Sequence, residues 1–598
     1  MTSAWTPSFT TRPEIEGAFG VVASTHWIAS AVGMAVLEQG GNAFDAGVAT
    51  AFTLQVVEPH LNGPAGDVPI LVYDAASRAT KVICGQGPAP MAATIDHFRQ
   101  LDLDLVPGTG LLPACVPGAF DAWMLLLRDH GTFSLRDVLK YAIDYARRGI
   151  PVVPQIHHTI ASVEQLFLDH WKTSAAIFLH GGSAPPIGSL LVNPGLADTY
   201  ERIVREAEAQ GGAREDVIDR ARTIWSSGFV AEAIVRFCER EAVHDVSGRS
   251  HRGLLRESDL TSWRAHVEEP LFIDYHDCRV FKAGFWSQGP VALQQLAILK
   301  HCDLDGLDPT GPDFIHLQVE AAKLAFADRE AFYGDPDFVD VPREILLGED
   351  YNRARRRLIG EAASKVLRPG TVDGFGGAIV SRAKPDAAAF SSGAGEPTLR
   401  NVDAVQGDTV HFDIIDRFGN MVAATPSGGW LQSSPVIPEL GFPLGTRAQM
   451  FWLTENLPNS LAPGKRPRTT LTPTLAFRDG APYLAWGTPG GDQQDQWIVQ
   501  FLLRHLHAGM NLQQAIDAPA WHTEHFPSSF WPRTARPGVL VVEDRLPAAT
   551  IDELRRRGHE VEINGSWSEG RLTAALQSGG RLRAAANPRG MQGYAVGR

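Results

Sequence analysis

The chain has 598 residues, 44% hydrophobic and 20% charged, the makeup of a globular protein long enough to bury a large core without disulfides. Its 54 basic against 68 acidic residues, net −14, argue against nucleic acid or an anionic membrane surface as a partner, since both select basic patches. Five cysteines at 84, 115, 238, 278 and 302 are odd in number and never spaced as CxxC, so free thiols in a reducing compartment are expected.

The first twenty residues, "MTSAWTPSFTTRPEIEGAFG", contain neither a basic n-region nor an apolar h-region. No apolar run reaches the roughly 18 residues of a spanning helix. A cytoplasmic protein is the expectation. Length allows roughly four domains of about 150 residues or one large layered α/β unit.

Residues 20–57 read as a strand, "GVVAST", followed by helices in "WIASAVGMAVLEQG" and "NAFDAGVATAFTLQVVEP", the second N-capped by Asn42. The loop "HLNGPAGDVP" leads into a hairpin, "ILVYDAASRATKVICGQG". Residues 117–350 are mostly helical, with a strand-like interruption at "PLFIDYHDCRVFKA", charged helices over 200–243 and a strong amphipathic helix over 313–333. The run "NRARRRLIG", with Arg353, Arg355, Arg356 and Arg357, reads as a solvated helix face. Residues 368–408 are crowded with turn formers and predict a surface loop or mobile segment. Strands follow from Thr409, then a helical stretch over 493–518, then mixed α/β.

The strand that starts at Thr409 poses the functional question. Alternation sets Val410, Phe412 and Ile414 on one face and Thr409, His411 and Asp413 on the other. "DRFGN" (416–420) reads as its hairpin turn. If Asp416 pairs with Asn420, paired residue numbers total 836, which sets Thr409 opposite Ser427 and His411 opposite Thr425. A Thr hydroxyl is a poor nucleophile without a base. Cleavage between Asp408 and Thr409 would supply one, because a new α-amine with pKa near ~8 can take the hydroxyl proton. On this stretch alone a second reading stays open, in which Thr409 merely starts a strand after a surface insertion.

Other motifs point to packing. "HTEH" (His522, Glu524, His525) lacks the HExxH zinc spacing, "HGGS" (180–183) has no accompanying GxSxG elbow, and "GFWSQGP" (284–290) reads as core. No phosphate-cradling loop of P-loop form occurs, and no cofactor or metal is expected.

Six segments, in order, carry a resemblance: "GGNAFDAGVATAFTLQVVEPHLNGPAGD" (40–67), "SSGFVAEAIVRF" (226–237), "EAAKLAFADREAFYGDPDFVDVP" (320–342), "DTVHFDIIDRFGN" (408–420), "KRPRTTLTPTLAFRDG" (465–480) and "WGTPGGDQQ" (486–494). Together they resemble the γ-glutamyltranspeptidase family of N-terminal nucleophile (Ntn) hydrolases over nearly the whole chain. The resemblance implies a four-layer αββα sandwich and a precursor that splits into a large part, 1–408, and a small part, 409–598. It implies Thr409 as nucleophile, Ser427 as its supporting hydroxyl and Gly490–Gly491 as the oxyanion hole. Successive glycines let N–H groups approach an oxyanion closely, each worth about 3–4 kcal/mol in comparable sites. Thr469 and Thr470 fall where the family contacts the substrate α-carboxylate. The partner is a small-molecule amide, and a homo-oligomer is allowed.

Departures from the family concern the γ-glutamyl clamp. Gln86 stands at the position of the carboxylate-gripping Arg, which removes a charge-assisted bidentate contact. Met450 stands at the amine-gripping Asp, and Gly429 at an Asn. Arg447, where the family often has Gln, and Arg468 add positive charge suited to a carboxylate or dicarbonyl substrate, or they serve only surface solubility; Glu439 or Arg447 could replace the lost clamp. The reading favours a hydrolase or acyltransferase on a non-standard small acid amide or acyl amide. A genuine γ-glutamyl enzyme acting on glutathione-like donors is one alternative and a non-catalytic binding relative another.

Overall fold

The computed structural model describes residues 9–376, 379–381 and 409–598. The expected cleavage residue Asp408 and most of the turn-rich segment 368–408 lie outside the described residues.

Two seven-stranded antiparallel sheets face each other. One runs, in spatial order, Tyr594–Gly597, Gly20–Ser24, Phe412–Asp416, Met421–Ala424, Val68–Asp74, Ala79–Gly85 and His266–Glu268. The other runs Ile15–Gly17, Arg581–Ala586, Thr573–Ser578, Ala481–Gly487, Thr474–Arg478, Cys278–Lys282 and Leu271–Tyr275. Residues before and after Thr409 share both sheets, because the hairpin 412–424 sits between Gly20–Ser24 and Val68–Asp74.

Strand alternation builds the layers. Val21, Ala23, Leu71, Ile415, Met421 and Ala423 meet Leu475, Ala485, Ala575 and Ala584 of the facing sheet, and the many alanines allow close sheet packing. The alternate residues Val22, Val72, Phe412, Ile414 and Val422 point outward under helices such as Trp27–Glu38 and Ala43–Val57. Across the molecule Val280, Ala476, Leu484 and Ala574 lie under Pro290–Leu299, Pro312–Phe332 and Gln494–His507. The product is the αββα sandwich that the resemblance implied.

Helix Ala43–Val57 is buried along its whole length, so it needs its own end satisfied. Asn42 caps it with a full capping box through Asp45, as its place after two glycines predicts. The Ala43 N–H also donates to Asp416 Oδ2 at 2.8 Å, which ties this helix to the turn of the Thr409 hairpin.

The hairpin 68–85 forms as predicted, the strand-like stretch 271–282 folds as a second hairpin, and Phe285 and Trp286 are buried packing residues. One expectation is corrected. Arg355 of "NRARRRLIG" is not on a solvated face; it turns inward and donates to Asp328 Oδ1 at 3.1 Å and Leu324 O at 3.1 Å. Among the described residues no helix is long and apolar enough to cross a membrane.

Candidate active site

The predicted register is the observed one: Phe412 pairs with Ala424, Asp413 with Ala423, and an antiparallel bridge joins Thr409 to Ser427. Thr409 Oγ donates to Ser427 Oγ at 3.3 Å, and both residues are buried. On the same face His411 Nδ1 lies 2.8 Å from Thr425 Oγ and His411 Nε2 lies 3.0 Å from Asp413 Oδ1. Thr573 Oγ of the facing sheet donates to Asp413 Oδ2 at 2.7 Å. Burial raises the Asp413 carboxyl, opposed by the His411 ring. This polar seam between two apolar sheets is satisfied at every contact named here, as a buried network must be.

The seam leaves no room above His411. A Cβ on Gly487 would fall 2.3 Å from His411 Cε1. Gly487→Ala is therefore expected to push the two sheets or the ring apart and to cost about 1–3 kcal/mol, read by denaturant unfolding. An alanine variant that unfolds at the wild-type midpoint would contradict this packing.

Beyond Ser427 the next strand brings Asp67. The two residues exchange backbone hydrogen bonds, Asp67 N to Ser427 O at 2.9 Å and Ser427 N to Asp67 O at 3.0 Å. Asp67 Oδ1 accepts from Arg447 Nε at 3.1 Å and Nη2 at 2.8 Å, and Thr469 Oγ reaches Oδ2 at 3.5 Å. Burial pushes the Asp67 carboxyl up, and Arg447 pulls it back down. Arg447 begins the short turn Arg447–Met450, and its guanidinium stacks 5.7 Å from the Trp430 ring. The strand pairing ends at Val68↔Gly85, and the buried Gln86 that follows donates through Nε2 to Gly87 O at 3.0 Å.

A second chain of bonds leads to the glycine pair. Thr469 O accepts from Gln288 N at 2.8 Å, and Gln288 Nε2 donates to Gly491 O at 3.0 Å. Gly490 has φ +127° and Gly491 φ +53°; a three-residue turn from Gly491 then runs into helix Gln494–His507. The glycine N–H groups thus stand at a helix N-terminus, where the dipole favours negative charge. The Gln494 amide, oriented nitrogen-first, donates to Thr488 O at 3.2 Å and Thr470 O at 3.3 Å, linking Thr470 to the same helix.

Beneath these loops sits Lys282, fully buried. Its Nζ donates to Thr472 O at 2.9 Å and Thr474 Oγ at 2.8 Å, and it lies 3.3 Å from Asp495 Oδ1 in the first turn of the glycine helix. Burial pushes Lys282 down to about 8 and Asp495 up to about 7, each opposed by the other's charge.

Contact by contact, the structure gathers Thr409, Ser427, Thr469 and Arg447 around Asp67, and Gly490–Gly491 and Thr470 around Gln288 and Gln494. Two expectations about charge fail. Arg468 is not at the surface; it is buried and donates to Glu330 Oε1 at 2.5 Å and Arg329 O at 2.8 Å, so its charge is consumed in the core. Glu439 does not replace the clamp; it is exposed and pairs with Arg236 at 3.1 Å. Met450 packs with Trp430 and Phe530 in an apolar cluster. Asp67, Gln288 and the Lys282–Asp495 pair went unread. The "GPAGD" turn carried the only hint of Asp67, an acid between a glycine turn and an apolar strand.

Two other clusters hold ionisable groups. Ligand atoms of Cys84, His266 and Glu268 lie within 4.8 Å of one another, but Arg466 Nη1 already donates to Glu268 Oε1 at 2.6 Å and lies 3.5 Å from Cys84 Sγ. A guanidinium fills the place a cation would take. In "HTEH", His522 Nδ1 meets Glu569 Oε2 at 2.6 Å, and although burial works against it, that carboxylate and Glu524 hold the imidazole up at about 9.

A sandwich of two facing antiparallel sheets between helices is the architecture of the Ntn-hydrolase class, enzymes that act on amide bonds. The chain belongs to the gamma-glutamyltranspeptidase family, whose model matches residues 29–597. It is 32% identical to the glutathione hydrolase-like YwrD proenzyme of Bacillus subtilis (strain 168), covering 96% of this chain and 98% of that one. The solved structure of LmbA2991HD superposes with a TM-score of 0.90 at 54% identity, covering 99% of this chain and 100% of that chain. The cephalosporin acylase from Bacillus halodurans superposes with a TM-score of 0.82 at 28% identity, covering 100% and 99%.

Proposed function

We propose that the chain is a precursor that breaks between Asp408 and Thr409, giving parts of 1–408 and 409–598, and that Thr409 then attacks an amide carbonyl. Its new α-amine takes the hydroxyl proton and returns it to the leaving amine. Ser427 Oγ, 3.3 Å away, orients the hydroxyl. Gly490 and Gly491 N–H groups stabilise the tetrahedral oxyanion, and water or an amine acceptor resolves the acyl-enzyme. Thr469, Thr470, Gln86 and Arg447 line the substrate side. The observation that carries this reading is the hydroxyl pair at the register the sequence predicts, at the first described residue of the hairpin. Five unpaired cysteines support a reducing, cytoplasmic setting.

The acyl group we favour is not γ-glutamyl. Gln86 offers no cation for an α-carboxylate, and Met450 is enclosed by Trp430 and Phe530 where an α-ammonium would need an anion. Nearby carboxylates are already engaged: Asp492 by Arg329 and by Ser529 Oγ at 2.6 Å, and Glu330 by Arg468.

A denaturing gel and N-terminal sequencing test the scission. Two bands near two-thirds and one-third of 64.9 kDa, the smaller reading Thr-Val-His-Phe, are expected. A single uncut band in fresh and aged samples supports a non-catalytic relative instead. Turnover of γ-glutamyl-p-nitroanilide at the rate of ordinary family members would restore the glutathione-type reading.

A further inference from the structure

Arg447 is a cation that the site's own contacts bring beside Ser427, by way of Asp67, and the protein has partly spent it. Its Nε and Nη2 both bond Asp67 Oδ1, and both side chains are buried. Its third nitrogen, Nη1, is buried with no hydrogen-bond partner among the described residues. Thr470 Oγ and Trp430 Nε1 are in the same condition. Arg447 lies over the Trp430 ring, and Met450 and Phe530 continue that apolar wall. Arg447 Nη1 and Trp430 Nε1 can only donate, and Thr470 Oγ can also do so, so the missing ligand presents acceptors. Orphaned buried donors cost free energy until something fills them.

Charge then narrows the ligand. Arg447 and Asp67 cancel. A substrate carboxylate placed on Nη1 would share the guanidinium with the Asp67 carboxylate, and like charges at that range repel strongly when water is excluded. A substrate ammonium gains little either, because Asp67 is already paired. An uncharged carbonyl oxygen meets neither penalty.

We propose that Asp67 is the specificity-determining residue of the acyl subsite: it stands in for a substrate carboxylate on Arg447, so that the site takes an uncharged acyl group, with a carbonyl or amide oxygen on Arg447 Nη1 and an apolar body against Trp430, Met450 and Phe530. The inference rests on the reading that Thr409 is the nucleophile and that the Arg447 side receives the acyl group. Removing the Asp67 charge leaves the guanidinium's positive charge unbalanced and converts the subsite to one that accepts a carboxylate.

Two isosteric anilides test it: glutaryl-p-nitroanilide, which ends in a carboxylate, and glutaramoyl-p-nitroanilide, which ends in a primary amide. Wild type is expected to prefer the amide. Asp67→Asn, which keeps the shape and the backbone bonds to Ser427, is expected to shift the kcat/KM ratio at least tenfold toward glutaryl. Arg447→Met is expected to abolish the discrimination. A ratio that stays put in Asp67→Asn, on protein that still shows two bands, overturns the subsite assignment alone. A wild type that never splits overturns the underlying reading instead. If two-band wild type cleaves neither anilide, calorimetric titration decides: Asp67→Asn must bind glutarate at least tenfold more tightly than wild type, and equal affinity refutes the proposal.

Discussion

Replacing Thr409 by alanine is expected to leave one band near 64.9 kDa and to lower amide hydrolysis by at least ~10⁴-fold, the scale seen when a covalent nucleophile is removed. The reason is double. The same oxygen is asked to attack the peptide carbonyl before it and, once freed, the substrate carbonyl. Without Oγ, Ser427 cannot take over, because it lies within the return strand, with backbone bonds to Asp67 on its far side, and has no free amine. Thr409→Ser keeps the hydroxyl and the amine and is expected to split and to retain part of the activity. The gel, mass spectrometry of the smaller band and a steady-state assay read all three. Cleavage at 408–409 in the alanine variant would remove Thr409 from the mechanism.

Gly490→Ala should have the next largest effect. The position has φ +127°, which L side chains rarely adopt, and a Cβ there would fall 2.3 Å from Trp497 Cζ3. Trp497 has little room to yield. It is fully buried, and the His522 ring meets it edge-on at 5.9 Å. The loop itself must move, and its N–H groups move with it. Loss of one aligned oxyanion donor lowers kcat by about 10²–10³. KM should change far less, because the donors act on charge that develops only in the transition state. The measurement is kcat and KM on two-chain protein; a kcat within threefold of wild type would take the glycine pair out of the oxyanion hole.

These two predictions draw on different sources. Thr409, Ser427 and their register follow from period-2 alternation and one turn, all within about twenty residues. A one-residue slip would have turned Phe412 and Ile414 into the polar seam and His411 into the helix layer, so the hydrophobic pattern alone selects the pairing. The Trp497 contact behind Gly490 is different. It joins a loop glycine to a helix seven residues on, and only the path of the turn between them decides that the ring and the absent Cβ compete for the same space.

The arginines divide the same way. From "GFPLGTRAQMFWL" and "KRPRTTLTPT", Arg447 and Arg468 read alike, as two extra charges of uncertain use. In the fold one is consumed in the core by Glu330 and the other is held on Asp67, with one nitrogen lacking a hydrogen-bond partner among the described residues.

What the sequence by itself determined is therefore the hairpin register and the hydroxyl pair, since these follow from local periodicity and from the face each residue must turn to the core; the αββα layering came only through the family resemblance. What only the tertiary structure decided is which charges meet. Asp67 and Arg447 are 380 residues apart, Lys282 and Asp495 meet from different layers, and Glu439 faces solvent. No local pattern encodes such pairs, because their strength comes from shared burial, and burial is a property of the folded whole.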